Sequence, residues 1–257
     1  MAFAQQNLRP IQGAVATVGV SDRVNFLRKT YAHLGVALIA FAAITAGMMR
    51  FATETSLRFS QWAFRGQLNW LLILVLFMIV GVVAQRLARS ETSRGLQYLG
   101  LGVAVTAEAF LLQPLLWYVI VRFGNPAAFV AGAEGGLGEG GNMILQAAVI
   151  TMAIFVGLTA TVFVTKKDFS FMRGILSIGT FAVIGVILAA MLFGFSLGAV
   201  FCGAVILLMA GYILYQTSLV MSYFPPTAHV AASLMLFSTI ATLFWYVLQF
   251  IISMRER

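Results

Sequence analysis

Long apolar runs alternate with short polar or basic breaks along this chain, and seven of the runs are long enough to cross a bilayer. They cover Tyr31–Met49, Asn69–Gln85, Leu96–Val121, Met143–Thr165, Gly174–Phe193, Ser196–Ser218 and His229–Ser253. About 20 mostly apolar residues span the ~30 Å of hydrocarbon as a helix. Lipid offers backbone N–H and C=O groups no partner, so a spanning segment is a helix or a strand of a closed barrel. The runs lack the period-two alternation of barrel strands. The pattern predicts an all-α polytopic membrane protein with seven transmembrane helices. Ser233, Ser238, Thr239 and Thr242 on the last helix suit hydrogen bonds to neighbouring helices, which predicts that this helix is central.

Composition narrows the class further. The chain has 257 residues, 61% hydrophobic and 9% charged, against about 25% charged in an ordinary soluble domain. The expected organisation is an amino-terminal tail and interfacial lead-in (1–28), one transmembrane domain (29–253) and a short carboxyl tail (254–257). Residues up to Asp22 read as a disordered tail, and Asp22–Thr30 as a short interfacial segment. No cleavable signal is expected, so the first run should insert as a signal anchor. The net charge is +8, but the basic residues sit at helix ends rather than along one face. The partner this implies is the lipid bilayer, and no nucleic acid. Cys202 is the single cysteine, which excludes an internal disulfide.

Basic residues also orient the bundle. One set of alternate breaks holds Arg9, Arg23, Arg28, Lys29, Arg86, Arg89, Arg94, Lys166, Lys167 and Arg173; the other holds Arg50, Arg58, Arg65, Arg122, Arg255 and Arg257. The excess predicts a cytoplasmic amino terminus. Trp62, Phe64 and Trp70 before the second run suit the membrane surface. GAEGGLGEGGN (Gly132–Asn142) reads as a flexible linker on the outer face, and Pro225 and Pro226 break the chain before the last run.

Chemistry-bearing residues are few. Glu108 lies near the middle of the third run. A charge there costs at least about 2.5–3.5 kcal/mol, and such residues usually face the bundle interior or a water cavity. Glu108 is expected as a protonated acid donating a hydrogen bond to a neighbouring helix, unless Arg86 turns inward instead of snorkelling to water. The glycines of Gly132–Gly141 follow no strand and precede no Lys-Ser/Thr pair, so they are no phosphate loop. Gly194-Phe-Ser196-Leu-Gly198 has the GxSxG form, with His229 later in the chain. Ser196 is better read as a helix cap than as a nucleophile. His33 reads as a polar interfacial residue. With two histidines and one cysteine, no metal site, cofactor or enzymatic activity is expected.

The run Thr165, Lys166, Lys167, Asp168, Phe169, Ser170, at the end of an alanine- and threonine-rich helix, resembles the fourth-helix signature of the Bax inhibitor-1 family. Bacterial members of that family are often called YccA-like. GYILYQT (Gly211–Thr217), Pro114–Leu116 and FLRKTY (Phe26–Tyr31) add weaker matches in the right order. The resemblance implies six helices around a central seventh, a link to calcium leak, and an aspartate pair between the last two helices that senses pH. It also implies a bacterial inner (plasma) membrane location and a membrane-bound AAA protease as partner. The pair itself is absent. Gln216 and Thr239 stand at the aspartate positions and should lie within reach of each other in the core. Two readings follow. One is a leak for a permeant cation, with Glu108 and Arg86 along a polar path near Gln216 and Thr239. The other is a non-conducting regulator or scaffold of membrane stress and protease-dependent quality control.

Overall fold

The computed structural model describes residues 14–17, 19–90, 93–133 and 135–256. Nine α-helices carry the fold, α1 (Val20–Phe51), α2 (Thr53–Phe64), α3 (Gln67–Ala88), α4 (Arg94–Phe123), α5 (Pro126–Ala131), α6 (Gly138–Thr165), α7 (Arg173–Phe193), α8 (Ala199–Ser222) and α9 (His229–Arg255), and no strand occurs among the described residues. Seven of them, all but α2 and α5, are long and apolar enough to cross a membrane. They coincide with the seven apolar runs.

The last helix is central as expected, since α9 packs against α1, α3, α4, α6 and α8. It shares the centre with α4, which packs against α1, α2, α3, α6 and α9. At the other extreme, α7 lies on the rim, packed on α8 and presenting Ile175, Ile178 and Phe181 outward. Close approach is concentrated where α3 meets α4. A Cβ on Gly100 would lie 2.6 Å from both the Ala84 carbonyl oxygen and the Ala88 nitrogen. Only glycine lets these backbones touch, the small-residue logic of membrane packing. At Gly203 on α8 the approach is looser, and a Cβ would meet only ordinary van der Waals contact with Phe250 at 3.9 Å.

Several breaks are more ordered than their composition suggests. The segment before α3 forms α2 instead of a loop. Its Ser56, Ser60 and Ala63 face is buried. Ser56 Oγ donates to Gln113 Oε1 at 2.6 Å and accepts from Trp117 Nε1 at 2.7 Å. Asp22–Thr30 is no separate lead-in but the start of α1, whose 32 residues extend about 48 Å at 1.5 Å per residue. The described part of the tail is also not disordered. Val15–Thr17 forms a 3-10 turn, Val15 is fully buried, and its N–H donates to the Phe224 carbonyl at 2.9 Å. Residues 1–13, including Arg9, lie outside the described residues. The glycine-rich linker is shorter than expected, because α6 begins at Gly138 and Gly140 packs on Val119. Ser196 is not a cap. The residue before α8 is Gly198, with no side-chain capping bond.

Contacts between the turns sort the helix ends into two faces. His33, Tyr98, Asp168, Tyr223 and His229 meet on the face where α1 starts. Arg255 with Glu139, and Trp70 with Trp245, meet on the other. An engineered cysteine at Gly136 would clash, since a Cβ there meets the Phe129 backbone at 2.5 Å. The exposed Leu137 is the better position. In a Cys202→Ser background, an impermeant thiol reagent should label Leu137→Cys from outside intact cells and Ser170→Cys only after permeabilisation. Labelling in the reverse order would overturn the cytoplasmic amino terminus.

Candidate functional site

The α8–α9 hairpin brings Gln216 and Thr239 together. Thr239 Oγ lies 2.9 Å from Gln216 Oε1 and 3.2 Å from the Met235 carbonyl, and donates to these acceptors. Both side chains are buried, at 8% and 7% exposure. An amide and a hydroxyl carry no charge near neutral pH, so this contact holds two helices together without responding to protons.

Glu108 occupies the midpoint of α4. Residues three, four and seven positions away share its face. Leu101, Ala104, Val105, Leu112 and Leu115 on that face are all buried, so the carboxyl is directed into the bundle and is itself part-buried. The expected hydrogen bond to a neighbouring helix is absent. Among the described residues Glu108 has no hydrogen-bond or ion-pair partner. Arg86 does not supply one. It is exposed near the end of α3, level with the Gly100 contact, and Glu108 is eight residues deeper, about 12 Å along the axis. Arg86 therefore does not join Glu108, Gln216 and Thr239 in one polar site.

A vestibule of about 510 Å³ opens at the far end of the bundle, lined among others by Glu256, Tyr118, Gln249 and Leu115. The Tyr118 hydroxyl donates to Glu256 Oε1 at 2.5 Å. Leu115 lies on the Glu108 face of α4, two turns away.

The signature run builds a latch at the opposite face. Lys166 ends α6 in the left-handed region (φ 51°), a conformation that costs a non-glycine residue about 1–3 kcal/mol. The chain then turns back toward α8. There the Asp168 carboxylate accepts from the Ser170 amide at 2.8 Å, from Tyr223 at 2.8 Å and from Ser218 at 3.3 Å. The Phe169 amide donates to Ser218 Oγ at 3.1 Å. Partial burial alone would raise the Asp168 carboxyl, but these hydrogen bonds outweigh it and hold it below its ordinary value. Thr165 back-bonds to the Thr161 carbonyl at 2.7 Å, and Lys167 is exposed.

Two clusters were invisible to the one-dimensional reading. His33 lies against His229, with ring centroids 5.0 Å apart, and its Nε2 is 3.1 Å from the Tyr98 hydroxyl. The second cluster is the Ser56–Gln113–Trp117 network. His229 is remote from Ser196, which sits just before the opposite end of α8. The 24 residues of α8 separate them by about 36 Å, so they form no catalytic pair. Among the described residues no group of three or more His, Cys, Asp or Glu could hold a metal ion.

Comparison with known proteins places these features in context. A family profile described as an inhibitor of apoptosis-promoting Bax1 matches residues 23–257. The chain is 29% identical to Bax inhibitor 1 of Schizosaccharomyces pombe over 241 residues, 91% of this chain and 79% of that protein. It is 34% identical over 115 residues to an uncharacterized protein of Pseudomonas aeruginosa, covering 44% of this chain and 51% of that protein. Protein lifeguard 4 of Mus musculus is 28% identical over 116 residues, 45% of this chain and 49% of that protein. The matches span about half the length of the Pseudomonas and mouse relatives.

The latch yields a prediction with a definite sign. Because the Asp168 carboxyl is held below its ordinary value, its stabilisation is present above the unfolded value of about 3.9 and is lost only as pH falls through the lower folded value. Amide exchange at Phe169 and Ser170, corrected for its intrinsic pH dependence, should be flat from pH 5 to 8. Asp168→Ala should raise it by about fivefold to tenfold, the scale of an exposed charge-assisted bond. A steep rise in the parent between pH 7 and 5 would show that another group holds the turn.

Proposed function

The chain belongs to the Bax inhibitor-1 family, and we propose that within it this protein acts as a channel-like cation leak whose intramembrane charge is Glu108. The observation that carries this reading is the unpartnered Glu108 carboxyl on the inward face of the central helix α4. A structural acid in lipid is expected to find a hydrogen bond or a cation, since intramembrane ionisable groups usually pair or line a path. A calcium ion takes six to eight oxygen ligands. One carboxyl provides too few to trap it, and weak binding is what conduction requires. Support for an entry comes from the vestibule carrying Glu256, whose Leu115 wall lies two turns above Glu108. The same proposal puts the protein in a bacterial inner membrane with its amino terminus in the cytoplasm, on the strength of the basic residues at that face.

A second reading has its own observation. Gln216 and Thr239 close on each other as a neutral pair, so the proton-sensing mechanism linked to the family's aspartates has no titrating group at these positions. This favours a non-conducting regulator of membrane stress and quality control, with a membrane-bound AAA protease as the partner. It has no enzymatic activity of its own in either reading.

Calcium and potassium flux through proteoliposomes separates the two. Glu108→Gln keeps the size of the side chain and its capacity for hydrogen bonds. It should fold as the parent does and lower flux by about tenfold, the effect of ~1.4 kcal/mol on the barrier. Flux unchanged by Glu108→Gln would overturn the assignment of Glu108. A parent that conducts neither ion, but co-purifies with a membrane protease, would establish the second reading instead.

A further inference from the structure

We propose that the cavity between α1, α6 and α9 is a binding site for one anionic glycerophospholipid, with its phosphate on Arg50 and its acyl chain along α1. The cavity measures about 560 Å³ and runs from Leu38 to Arg50 on α1. Twelve residues of helix separate those ends, about 18 Å at 1.5 Å per residue, close to one leaflet's half of the ~30 Å hydrocarbon. Ala42, Ala46 and Ala148 keep it open where larger side chains would fill it.

Three features distinguish this cavity from a groove that bulk lipid merely wets. The first is charge. Arg50 is exposed at its mouth, at the carboxyl end of α1. Among the described residues the nearby acids are engaged elsewhere: Glu54 pairs with Arg58 at 2.6 Å and Glu139 with Arg255 at 3.4 Å. Among the described residues Arg50 has no acidic partner. The second is position. A Cβ at Gly132 (φ +71°) would meet the Arg50 guanidinium at 2.6 Å, so the turn after α5 holds this side chain beside the cavity mouth. Guanidinium matches a phosphate in shape as well as charge.

The third is a pair of orphaned hydroxyls. Threonines inside these helices commonly bond the carbonyl four residues back, as Thr53, Thr106, Thr161 and Thr242 do. Thr45 and Thr151 border the cavity and are 6% and 2% exposed; their hydroxyls have no partner and present almost no surface to the cavity, so a turn of the Thr45 side chain about χ1 is what brings its hydroxyl into reach of an occupant. A buried polar group without a partner costs about 1–3 kcal/mol, so an all-hydrocarbon occupant is a poor match. Thr45 lies five residues below Arg50, about 7.5 Å. That depth suits the ester carbonyls of a glycerophospholipid, which accept hydrogen bonds and lie just beneath its phosphate. Thr151 is nearer the midpoint of α6 and marks the deep end of the cavity.

The test uses the full chain in nanodiscs doped with diazirine-bearing phosphatidylglycerol or, separately, phosphatidylcholine of identical chains. Phosphatidylglycerol should crosslink to peptides of α1 and α6 with saturation at one lipid per chain, and phosphatidylcholine only at the background of other lipid-facing helices. Arg50→Gln should lower phosphatidylglycerol labelling by about fivefold, the scale of one basic residue against anionic lipid. Thr45→Val, which keeps the shape and removes the hydroxyl, should lower it further. Ala46→Phe fills an exposed position, so it should leave the thermal unfolding of the protein unchanged and abolish labelling. Equal labelling by both lipids, or labelling unaffected by Arg50→Gln and Ala46→Phe, means bulk lipid only and overturns the site.

Discussion

A polar side chain carried into hydrocarbon is costly unless it finds a partner inside the bundle, and much of the architecture follows from the pairs that do. Gln113 is the clearest case. It is fully buried, accepts a hydrogen bond from Ser56 and donates to the carbonyls of Ala109 and Thr45. Those bonds tie α1, α2 and α4 together beside Pro114, where the helix ladder already lacks one N–H. Thr180 with Tyr212, at 2.8 Å, does the same for α7 and α8. Gln216 with Thr239 does it for α8 and α9. Lipid drives no helix association by the hydrophobic effect, so such bonds and close backbone packing carry that role.

How much of this is readable in one dimension depends on the range of the interaction. The seven spans are readable because run length against bilayer thickness is a local property. Their ends are less so. A helix ladder continues through charged residues once it has formed, which is why α1 begins at Val20 rather than near Tyr31. The α2 helix escapes notice because TETSLRFSQWAF is not apolar enough to span. Its order comes from Ser56 meeting Gln113 and Trp117, 57 and 61 residues away. The contact of Gln216 with Thr239 was legible only through the family resemblance, since neither residue announces any chemistry. Arg86 was misjudged as a companion of Glu108 because proximity in a helical hairpin is set by level along the axis.

The signature run shows a different relation between motif and mechanism. Its basic residues are solvated, while Asp168 gathers three hydrogen bonds, two of which, from Ser218 and Tyr223, fasten the α6–α7 turn to the end of α8. That end is where Val15 docks on the Phe224 carbonyl and where His33 meets His229 one turn further on. The amino-terminal segment, the α6–α7 turn and the α8–α9 turn are thus fastened to one another on a single face. The basic run here acts through its acid.

Within α4, Gln113 and Glu108 are treated in opposite ways. Gln113 and Glu108 are five residues apart, about 140° around the helix, so they look in different directions. Gln113 faces α1 and α2, where every hydrogen-bonding atom it offers is used. Glu108 faces the side walled by Leu101, Ala104, Leu112 and Leu115, where nothing answers it. A bundle that needed Glu108 only for cohesion would have met it as it meets Gln113, with a serine from the next helix. The cost of leaving it unanswered is borne without a structural return. Because the Ser56–Gln113–Trp117 network and the Glu108 face do not share a residue, cohesion and charge chemistry in this helix are physically separable. Glu108 is therefore an intramembrane carboxyl whose presence the packing of the bundle does not explain.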